Sequence, residues 1–353
     1  MPESSAPVPP SVLAALGAWK GLEGAHVEPL PGGLVNTSYT VRTPDATFIA
    51  QRVNPIFSPR IHDNIVAVSS HLASKGELSV ELVPTRDGRL FVEQAGEGCI
   101  RLLARLDGTT FDICSGAAPA RSAGALIARF HEALADFDAR LHPLGFPFHD
   151  TRRHLEDLGD ALGRHVGHAF HSDVARLADG ILHASREWSP GESLPCRVVH
   201  GDLKFSNVLF AGASPPDSER AAALIDLDTL CRLPLYYDLG DAWRSWCNTR
   251  GEDASEAELD ASIFEASAEG YLSALSSSPS RDELVSFGEA LERISLEVCA
   301  RFAADVLEES YFDWDPARFA SAAEHNWLRA RGQWSLYEQA KATREERLRF
   351  LLG

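Results

Sequence analysis

The feature that most constrains this chain is a short polar segment held between apolar runs near its middle. Residues 198–210 read Val-Val-His-Gly-Asp-Leu-Lys-Phe-Ser-Asn-Val-Leu-Phe, and a third run, Ala-Ala-Leu-Ile-Asp-Leu, follows at 222–227. Short apolar runs bounded by turn residues predict strands. Pairing of these strands in an inset hairpin would bring Asp202, Asn207 and Asp226 together from opposite sides.

Those three side chains suit the transfer of a phosphoryl group to a hydroxyl. The reaction needs a carboxylate that orients the hydroxyl and takes its proton, and hard oxygen ligands for Mg²⁺ beside the phosphates of ATP. Asp202 fits the first role, and Asn207 and Asp226 fit the second. His200 is expected to pack the loop from beneath. Lys204 is left between a γ-phosphate contact and a solvated loop position.

The order of predicted elements indicates an α+β chain with two lobes, an order typical of kinases. Residues 1–104 are expected to form a small, mostly antiparallel sheet with one packed helix, and 105–353 a mostly helical lobe that contains the inset hairpin. Ser11 is expected to cap a first helix that runs to Trp19. Strands are predicted at 39–42, 47–53, 80–83, 89–93 and 100–106, and helices at 61–72, 152–165, 171–188, 257–275, 282–311 and 316–347.

Charge and cysteine usage narrow the partners. The chain carries 33 Lys and Arg against 51 Asp and Glu, a formal net charge of −18. Nucleic acid and anionic membrane surfaces are therefore not expected as partners, because both require a basic face. The six cysteines are scattered without CxxC spacing, which predicts reduced thiols and a cytoplasmic location. No signal peptide or membrane span is evident, and the oligomeric state stays open.

Several stretches, in order along most of the chain, resemble the aminoglycoside phosphotransferase and choline kinase superfamily, and more closely the N-acetylhexosamine 1-kinases. Besides the Asp202 loop, they are Gly-Leu-Val-Asn-Thr-Ser-Tyr at 33–39, Gln-Arg-Val-Asn-Pro-Ile-Phe at 51–57, Asp-Asn-Ile at 63–65, Phe-His-Asp-Thr at 148–151, Ile-Asp-Leu-Asp-Thr at 225–229, Tyr-Asp-Leu-Gly-Asp at 237–241, Cys-Ala-Arg-Phe at 299–302 and Tyr-Phe at 311–312. The resemblance implies a two-lobed, protein-kinase-like fold that uses ATP and Mg²⁺ on a small-molecule substrate, here an amino sugar.

Carried over to this chain, the resemblance implies that Asp202 is the base and lies against the sugar hydroxyl. Asn207 and Asp226 would bind Mg²⁺, and Arg301 would hydrogen-bond sugar hydroxyls. Arg301 also has a purely structural alternative, as a helix-surface cation paired with Glu297 four residues back.

The glycine-containing loop and the third strand are expected to bind the nucleotide, through Gly32, Gly33, Asn36 and Arg52. Leu34 departs from the polar residue that the hexosamine kinases tend to place in that loop. The strand-three lysine of most kinases is absent, and Gln51 and Arg52 are its candidate replacements. They point to opposite faces of the sheet, and Arg52 is preferred for the phosphates. No glutamate in the following helix is placed to pair with it.

Three other readings stay open beside an N-acetylhexosamine 1-kinase. A protein kinase is disfavoured because only about ten residues separate Asp226 from the next predicted helix, which is too few for a peptide-binding activation loop. A non-catalytic, nucleotide-binding pseudokinase is disfavoured because the base and both metal positions are present. The third alternative keeps the chemistry and changes the acceptor to an aminoglycoside, a choline-type amino alcohol or homoserine.

Overall fold

The computed structural model describes residues 7–30, 35–186 and 194–353. Its first part is a five-stranded antiparallel sheet. The strands are β1 (His26–Leu30), β2 (Thr37–Arg42), β3 (Thr47–Val53), β4 (Phe91–Gln94) and β5 (Gly98–Ala104). Their order in the sheet is β1-β2-β3-β5-β4. The predicted hairpin of β2 and β3 is confirmed, with Tyr39 opposite Ala50.

The two faces of this sheet have different neighbours because side chains alternate along each strand. Ala50 and Leu102 are buried in an apolar cluster with α1 (Pro10–Leu16). The next positions on the same strands, Gln51 and Arg101, lie on the opposite face, which is turned towards the helical part of the chain. This face therefore carries the polar groups of the sheet that can reach a site between the two parts.

The second part is mostly helical and carries the predicted inset as two small sheets. β6 (Cys196–Val199) pairs with β9 (Cys231–Pro234), and β7 (Val208–Phe210) pairs with β8 (Ala221–Leu224). The helices are α2 (Ile61–Ser74), which packs beneath the first sheet, then α3 (Ala117–Ala133), α4 (Thr151–Arg164), α5 (His171–Ser185), α6 (Tyr236–Trp246), α7 (Ala261–Ala274), α8 (Arg281–Glu308), α9 (Ala322–Ala342) and α10 (Arg344–Leu352).

An α+β fold with an antiparallel sheet and a helical second part is thus confirmed, while some element predictions are wrong. Segment 80–83 is not a full strand: it makes two backbone bonds to β5 before Pro84, which lacks an N–H, interrupts it. The helix predicted at 316–347 begins only at Ala322, where Ser321 caps it, and breaks at Thr343. Ser11 does not cap α1, which starts one residue earlier at Pro10. The division into lobes at residue 104 stays a prediction.

Helices α3 and α7 cross closely at two glycines. A Cβ on Gly270 would stand 2.0 Å from the backbone oxygen of Arg121, and a Cβ on Gly124 would stand 2.0 Å from that of Ser267. Real Cβ atoms do not approach a backbone oxygen so closely, so both positions require a hydrogen in place of a side chain. The crossing holds α3 against the rest of the helical part. None of the helices in the described ranges is long and apolar enough to cross a bilayer.

We predict that Gly270→Ala lowers the free energy of unfolding by about 1–3 kcal/mol, because the added methyl group forces the two helices apart. Gly159→Ala is the matched control, since a Cβ at that position in α4 meets nothing within 4 Å. It should stabilise the protein by about 0.4–1 kcal/mol through the unfolded state. Urea denaturation of both variants measures the difference. Equal effects would contradict the close crossing.

Candidate active site

The loop after β6 is held in place by a buried histidine, whose ring contacts backbone groups on both sides of the site. The Nε2 atom of His200 lies 2.9 Å from the carbonyl of Ile225, and its Nδ1 accepts from the backbone N–H of Asp202 at 3.3 Å. Thr229 donates its hydroxyl to the His200 carbonyl at 2.8 Å. The ring therefore joins the loop to the strand that leads to Asp226, in the packing role expected from the sequence.

Asp238, in the first turn of α6, holds the same loop from the other side. Its carboxylate accepts from the backbone N–H groups of His200 at 2.8 Å and Gly201 at 2.7 Å, and it contacts the ring of His131 at 2.9 Å. Gly201 has a φ of 88°, and a Cβ there would stand 2.8 Å from the carbonyl oxygen of Thr229. The sequence marks Asp238 only by its place in the Tyr-Asp-Leu-Gly-Asp stretch, and its role as a loop anchor was not predicted.

Asp202 follows directly and is only partly exposed. Its Oδ2 lies 3.0 Å from the ammonium of Lys204. Burial acts to raise the pKa of the Asp202 carboxyl, but the Lys204 ammonium, together with the Arg244 guanidinium and other nearby groups, holds this pKa below its usual value. Asp202 is therefore ionised at neutral pH and can accept a hydrogen bond from a hydroxyl. The contact also shows that Lys204 compensates this carboxylate.

Asn207 and Asp226 lie beside Asp202. The Asn207 amide donates to the Asp202 carbonyl at 2.7 Å and to its Oδ2 at 3.2 Å, which leaves the amide oxygen as the atom for a cation. Ile225 donates its N–H to the Asn207 carbonyl at 3.0 Å, so the two predicted metal positions are joined through the backbone. The structure therefore brings these three predicted residues together.

Asp226 has two properties that suit a ligand of a divalent cation. Its Oδ1 is buried without a hydrogen-bond partner among the described residues. Burial, with the Asp228 and Asp202 carboxylates, raises the pKa of Asp226 to about 6. A bound cation would relieve both the missing partner and the repulsion, so the residues fit Mg²⁺. The backbone at Asp226 is left-handed, with φ 63° and ψ 60°.

Asp228 links the segment after β8, residues 225–229 (called the metal loop below), to the first sheet. Its Oδ1 lies 2.5 Å from the guanidinium of Arg101 on β5, and both side chains are almost fully buried. Its Oδ2 accepts from the Asn36 amide at 2.6 Å. The Arg101 guanidinium also donates to Gln51 at 2.7 and 3.0 Å. Arg101 was not predicted, and the period-two pattern of β5 is the signal that could have placed it opposite Gln51 on the inner face.

The predicted nucleotide-binding residues have different outcomes. Asn36 lies at the metal loop, through Asp228. Arg52 lies on the α1 face, where its guanidinium donates to Ser11 at 3.3 Å and contacts Glu97 at 3.5 Å. This geometry disfavours Arg52 as a phosphate-binding residue, because Gln51, and not Arg52, lies on the inner face. The role of Arg52 in nucleotide binding stays a prediction. The predictions for the glycine-containing loop, including Leu34, lie outside the described residues, as do Gly32 and Gly33.

Arg301, the predicted acceptor-binding residue, is half-buried on α8. It donates to the hydroxyl of Tyr311 at 3.1 Å and stands 5.4 Å from the ring centres of Tyr311 and Phe312. Asp305 fixes this aromatic segment, since its carboxylate accepts from the backbone N–H groups of 310, 311 and 312 at 2.9 Å each. The alternative partner Glu297 is bonded instead to His149 at 2.8 Å. A role of Arg301 in acceptor binding stays a prediction.

The chain combines an antiparallel sheet and a helical part with an Asp-x₄-Asn loop and a metal-loop aspartate between them. This combination is typical of small-molecule phosphotransferases with a kinase-like fold. Residues 26–275 match the phosphotransferase enzyme family (APH). The chain belongs to this family, and it is a small-molecule kinase that acts on a hydroxyl acceptor.

Proteins named as homoserine kinases are similar to this chain. The chain is 26% identical to that of Neisseria meningitidis serogroup B over 242 residues, which are 69% of this chain and 72% of the relative. It is 29% identical to that of Hyphomonas neptunium over 248 residues, 68% of this chain and 70% of the relative. With that of Rhodopseudomonas palustris it shares 26% over 216 residues, and the match spans only 61% of either chain.

Solved structures with the same fold are less similar in sequence. A microcompartment-associated aminopropanol kinase superposes with a TM-score of 0.66 at 17% identity, covering 94% of this chain and 97% of the other. An amicoumacin kinase in complex with AMP-PNP and Ca²⁺ superposes with a TM-score of 0.58 at 12% identity, covering 89% and 88%. At these identities the superpositions establish the fold.

We predict that Asp202→Asn lowers kcat at least about 10³-fold while nucleotide affinity changes little, because proton acceptance is lost and the phosphate site remains. Steady-state turnover and calorimetric nucleotide titration measure the two effects. Asp217→Asn, which removes an exposed carboxylate from the 211–220 loop, is the control and should leave both unchanged. Turnover close to the unaltered enzyme in Asp202→Asn would exclude Asp202 as the base.

We also predict that Arg101→Met lowers the free energy of unfolding by about 3–5 kcal/mol, because it leaves Asp228 as an uncompensated buried charge. Arg42→Met is the matched control, since Arg42 contacts Glu28 at the surface and its loss should cost little. Urea denaturation at low protein concentration compares the two variants. If both lose the same small amount, the Arg101–Asp228 pair is not structurally important.

Proposed function

We propose that this kinase uses ATP and Mg²⁺ to phosphorylate the anomeric hydroxyl of an N-acetylhexosamine, giving the sugar 1-phosphate. The observation that carries the choice of acceptor is the state of charge around the catalytic loop. Three carboxylates packed there already hold cations: Asp202 contacts Lys204, Asp241 contacts Arg244 at 2.9 Å and Glu297 contacts His149 at 2.8 Å. An acceptor that carries an ammonium group would compete with these cations, and a neutral, hydroxyl-rich acceptor would not.

In the proposed reaction, the Asp202 carboxylate accepts a hydrogen bond from the acceptor hydroxyl and takes its proton. The acceptor oxygen forms a bond to the γ-phosphorus as the bond from that phosphorus to the bridging oxygen breaks, and ADP leaves. Mg²⁺ held by Asn207 and Asp226 would supply charge neutralisation at the phosphates. The pKa of the Asp202 carboxyl lies below its usual value, so the proposed base is ionised at neutral pH.

The anomeric position follows from acidity and from the sequence resemblance. The 1-hydroxyl is the most acidic hydroxyl of a reducing sugar, so a carboxylate base assists its deprotonation most. Arg301 would donate to hydroxyls at the far side of the ring, and the Tyr311 and Phe312 rings beside it offer an apolar surface of the kind that sugars stack on. These contacts favour a polyhydroxylated acceptor.

Homoserine is the second candidate, and a separate observation favours it. The homoserine kinases described above share 26–29% identity with this chain over 61–69% of its length. Homoserine carries a carboxylate, which Arg301 could bind as a charge-assisted pair. Its ammonium group, however, would need a carboxylate that is free of the pairs around the catalytic loop.

The deciding experiment is a substrate panel with analysis of the product. The unaltered enzyme with ATP and Mg²⁺ is offered N-acetylglucosamine, N-acetylgalactosamine, their parent hexoses, homoserine, choline and an aminoglycoside. We expect turnover of the N-acetylhexosamines, and a phosphorus NMR signal coupled to the anomeric proton. A 6-phosphate, or a preference for homoserine or an amine over every sugar, would overturn the proposal.

Arg301→Ala separates acceptor binding from support of the fold. We expect KM for the acceptor to rise about ten- to a hundred-fold, because a charged hydrogen-bond donor is lost, while KM for the nucleotide changes little. Arg349→Ala on α10 removes the same charge from an exposed position and is the control. Equal rises of both KM values would indicate a structural role for Arg301.

A further inference from the structure

His149 occupies an unusual position between the catalytic loop and α8. Its backbone is left-handed, with a φ of 51°, and its side chain is buried. Nδ1 lies 2.8 Å from the Glu297 carboxylate, and Nε2 lies 2.8 Å from the Gly201 carbonyl. A carboxylate and a carbonyl can only accept hydrogen bonds, so both contacts are satisfied only if both ring nitrogens carry a proton. The ring is then an imidazolium cation.

The electrostatic surroundings agree with this protonation state. Burial acts to lower the pKa of His149, but the Glu297 carboxylate outweighs it, with help from Asp241, so that this pKa is raised. Burial alone would raise the pKa of Glu297, yet the His149 cation lowers it to about 2. The neighbouring His154 is different: burial lowers its pKa to about 4, so it stays neutral and does not compete for the carboxylate.

The contacts of His149 connect two parts of the site. Glu297 is fully buried on α8, one helical turn before Arg301, and its second oxygen accepts from the Thr151 hydroxyl. At the other end, Gly201 immediately precedes Asp202 in the chain. Both backbone polar groups of Gly201 are therefore held: its N–H donates to Asp238, and its carbonyl accepts from His149.

We infer that the His149–Glu297 pair is a positioning device that fixes the orientation of the Asp202 carboxylate relative to α8, which carries Arg301, the proposed acceptor-binding residue. The pair does not touch the reacting atoms. It acts by holding the Gly201 carbonyl, and thus the direction in which the chain enters Asp202. This inference rests on the proposed role of Asp202 as the base.

The variant that tests it is Glu297→Gln, with Glu292→Gln as the matched control. Both are fully buried carboxylates of α8 that hold cations, and Glu292 pairs instead with Arg347 at 2.7 Å, at the end of the chain. Glu297→Gln should lower kcat about ten- to a hundred-fold with KM for the nucleotide within about twofold. Glu292→Gln should leave kcat unchanged. Thermal denaturation measures how much stability each variant loses. An equal loss of kcat in both variants would overturn the inference.

A second measurement needs no change at Glu297, in case that variant fails to fold. Nitrogen-15 NMR of the unaltered protein reports whether each ring nitrogen of His149 carries a proton, with the resonance assigned through contacts to the Tyr237 ring. We expect both nitrogens to be protonated at pH 7, where an ordinary histidine is mostly neutral. A neutral ring at pH 7 would overturn the inference. If instead Asp202→Asn retained turnover, the proposed base would fail while the imidazolium signal remained.

Discussion

The buried ion pair between Arg101 and Asp228 is the interaction on which the rest of the site depends. It joins β5 of the first sheet to the loop that carries Asp226, and the Asn36 amide adds a second contact to the same carboxylate. Two carboxylates so close together, Asp226 and Asp228, repel each other in a poorly solvated place. The Arg101 guanidinium, which comes from the first sheet, lowers that repulsion. The negative charge that would attract a metal ion is therefore also what holds the first sheet against this loop.

The same principle recurs along the catalytic loop. Other carboxylates near it are paired with basic side chains, as with Asp202 and Lys204, or Asp241 and Arg244. Buried ion pairs contribute little net stability compared with apolar packing, but removal of one partner is costly. Pairs of this kind therefore specify one arrangement of the loop more than they strengthen the fold. A kinase needs such an arrangement, since its catalysis depends mainly on positioning and electrostatics.

How much could be predicted from the sequence depended on the distance over which each signal acts. The inset strands and the three side chains of the loop follow from local patterns, and the structure brings Asp202, Asn207 and Asp226 together. Arg101 and Asp238 were missed because their importance comes from partners more than a hundred residues away, or from backbone N–H groups. The period-two pattern of β5 can place Arg101 on the inner face, but it does not identify Asp228 as its partner. The hydrophobic periodicity of a segment predicts its secondary structure, but it does not predict which distant residues the segment contacts.

The choice between Gln51 and Arg52 shows the limit of reasoning from residue type. Arginine suits phosphate better than glutamine does, and this chemistry favoured Arg52. The alternation of β3, however, turns Arg52 towards α1 and Gln51 towards the helical part. Which face of a strand is the inner one follows from helix packing, and the sequence of the strand alone does not contain it.

The left-handed backbone of Asp226 restricts how this position can change over generations. Most residues with a Cβ lose about 1–2 kcal/mol in that conformation, and glycine, asparagine and aspartate tolerate it best. Glycine has no side-chain oxygen, asparagine has no negative charge, and glutamate has both but meets the steric penalty. Aspartate alone combines tolerance of this backbone conformation with the charge that a proposed cation ligand needs, so we expect every substitution of Asp226 to lose one of the two.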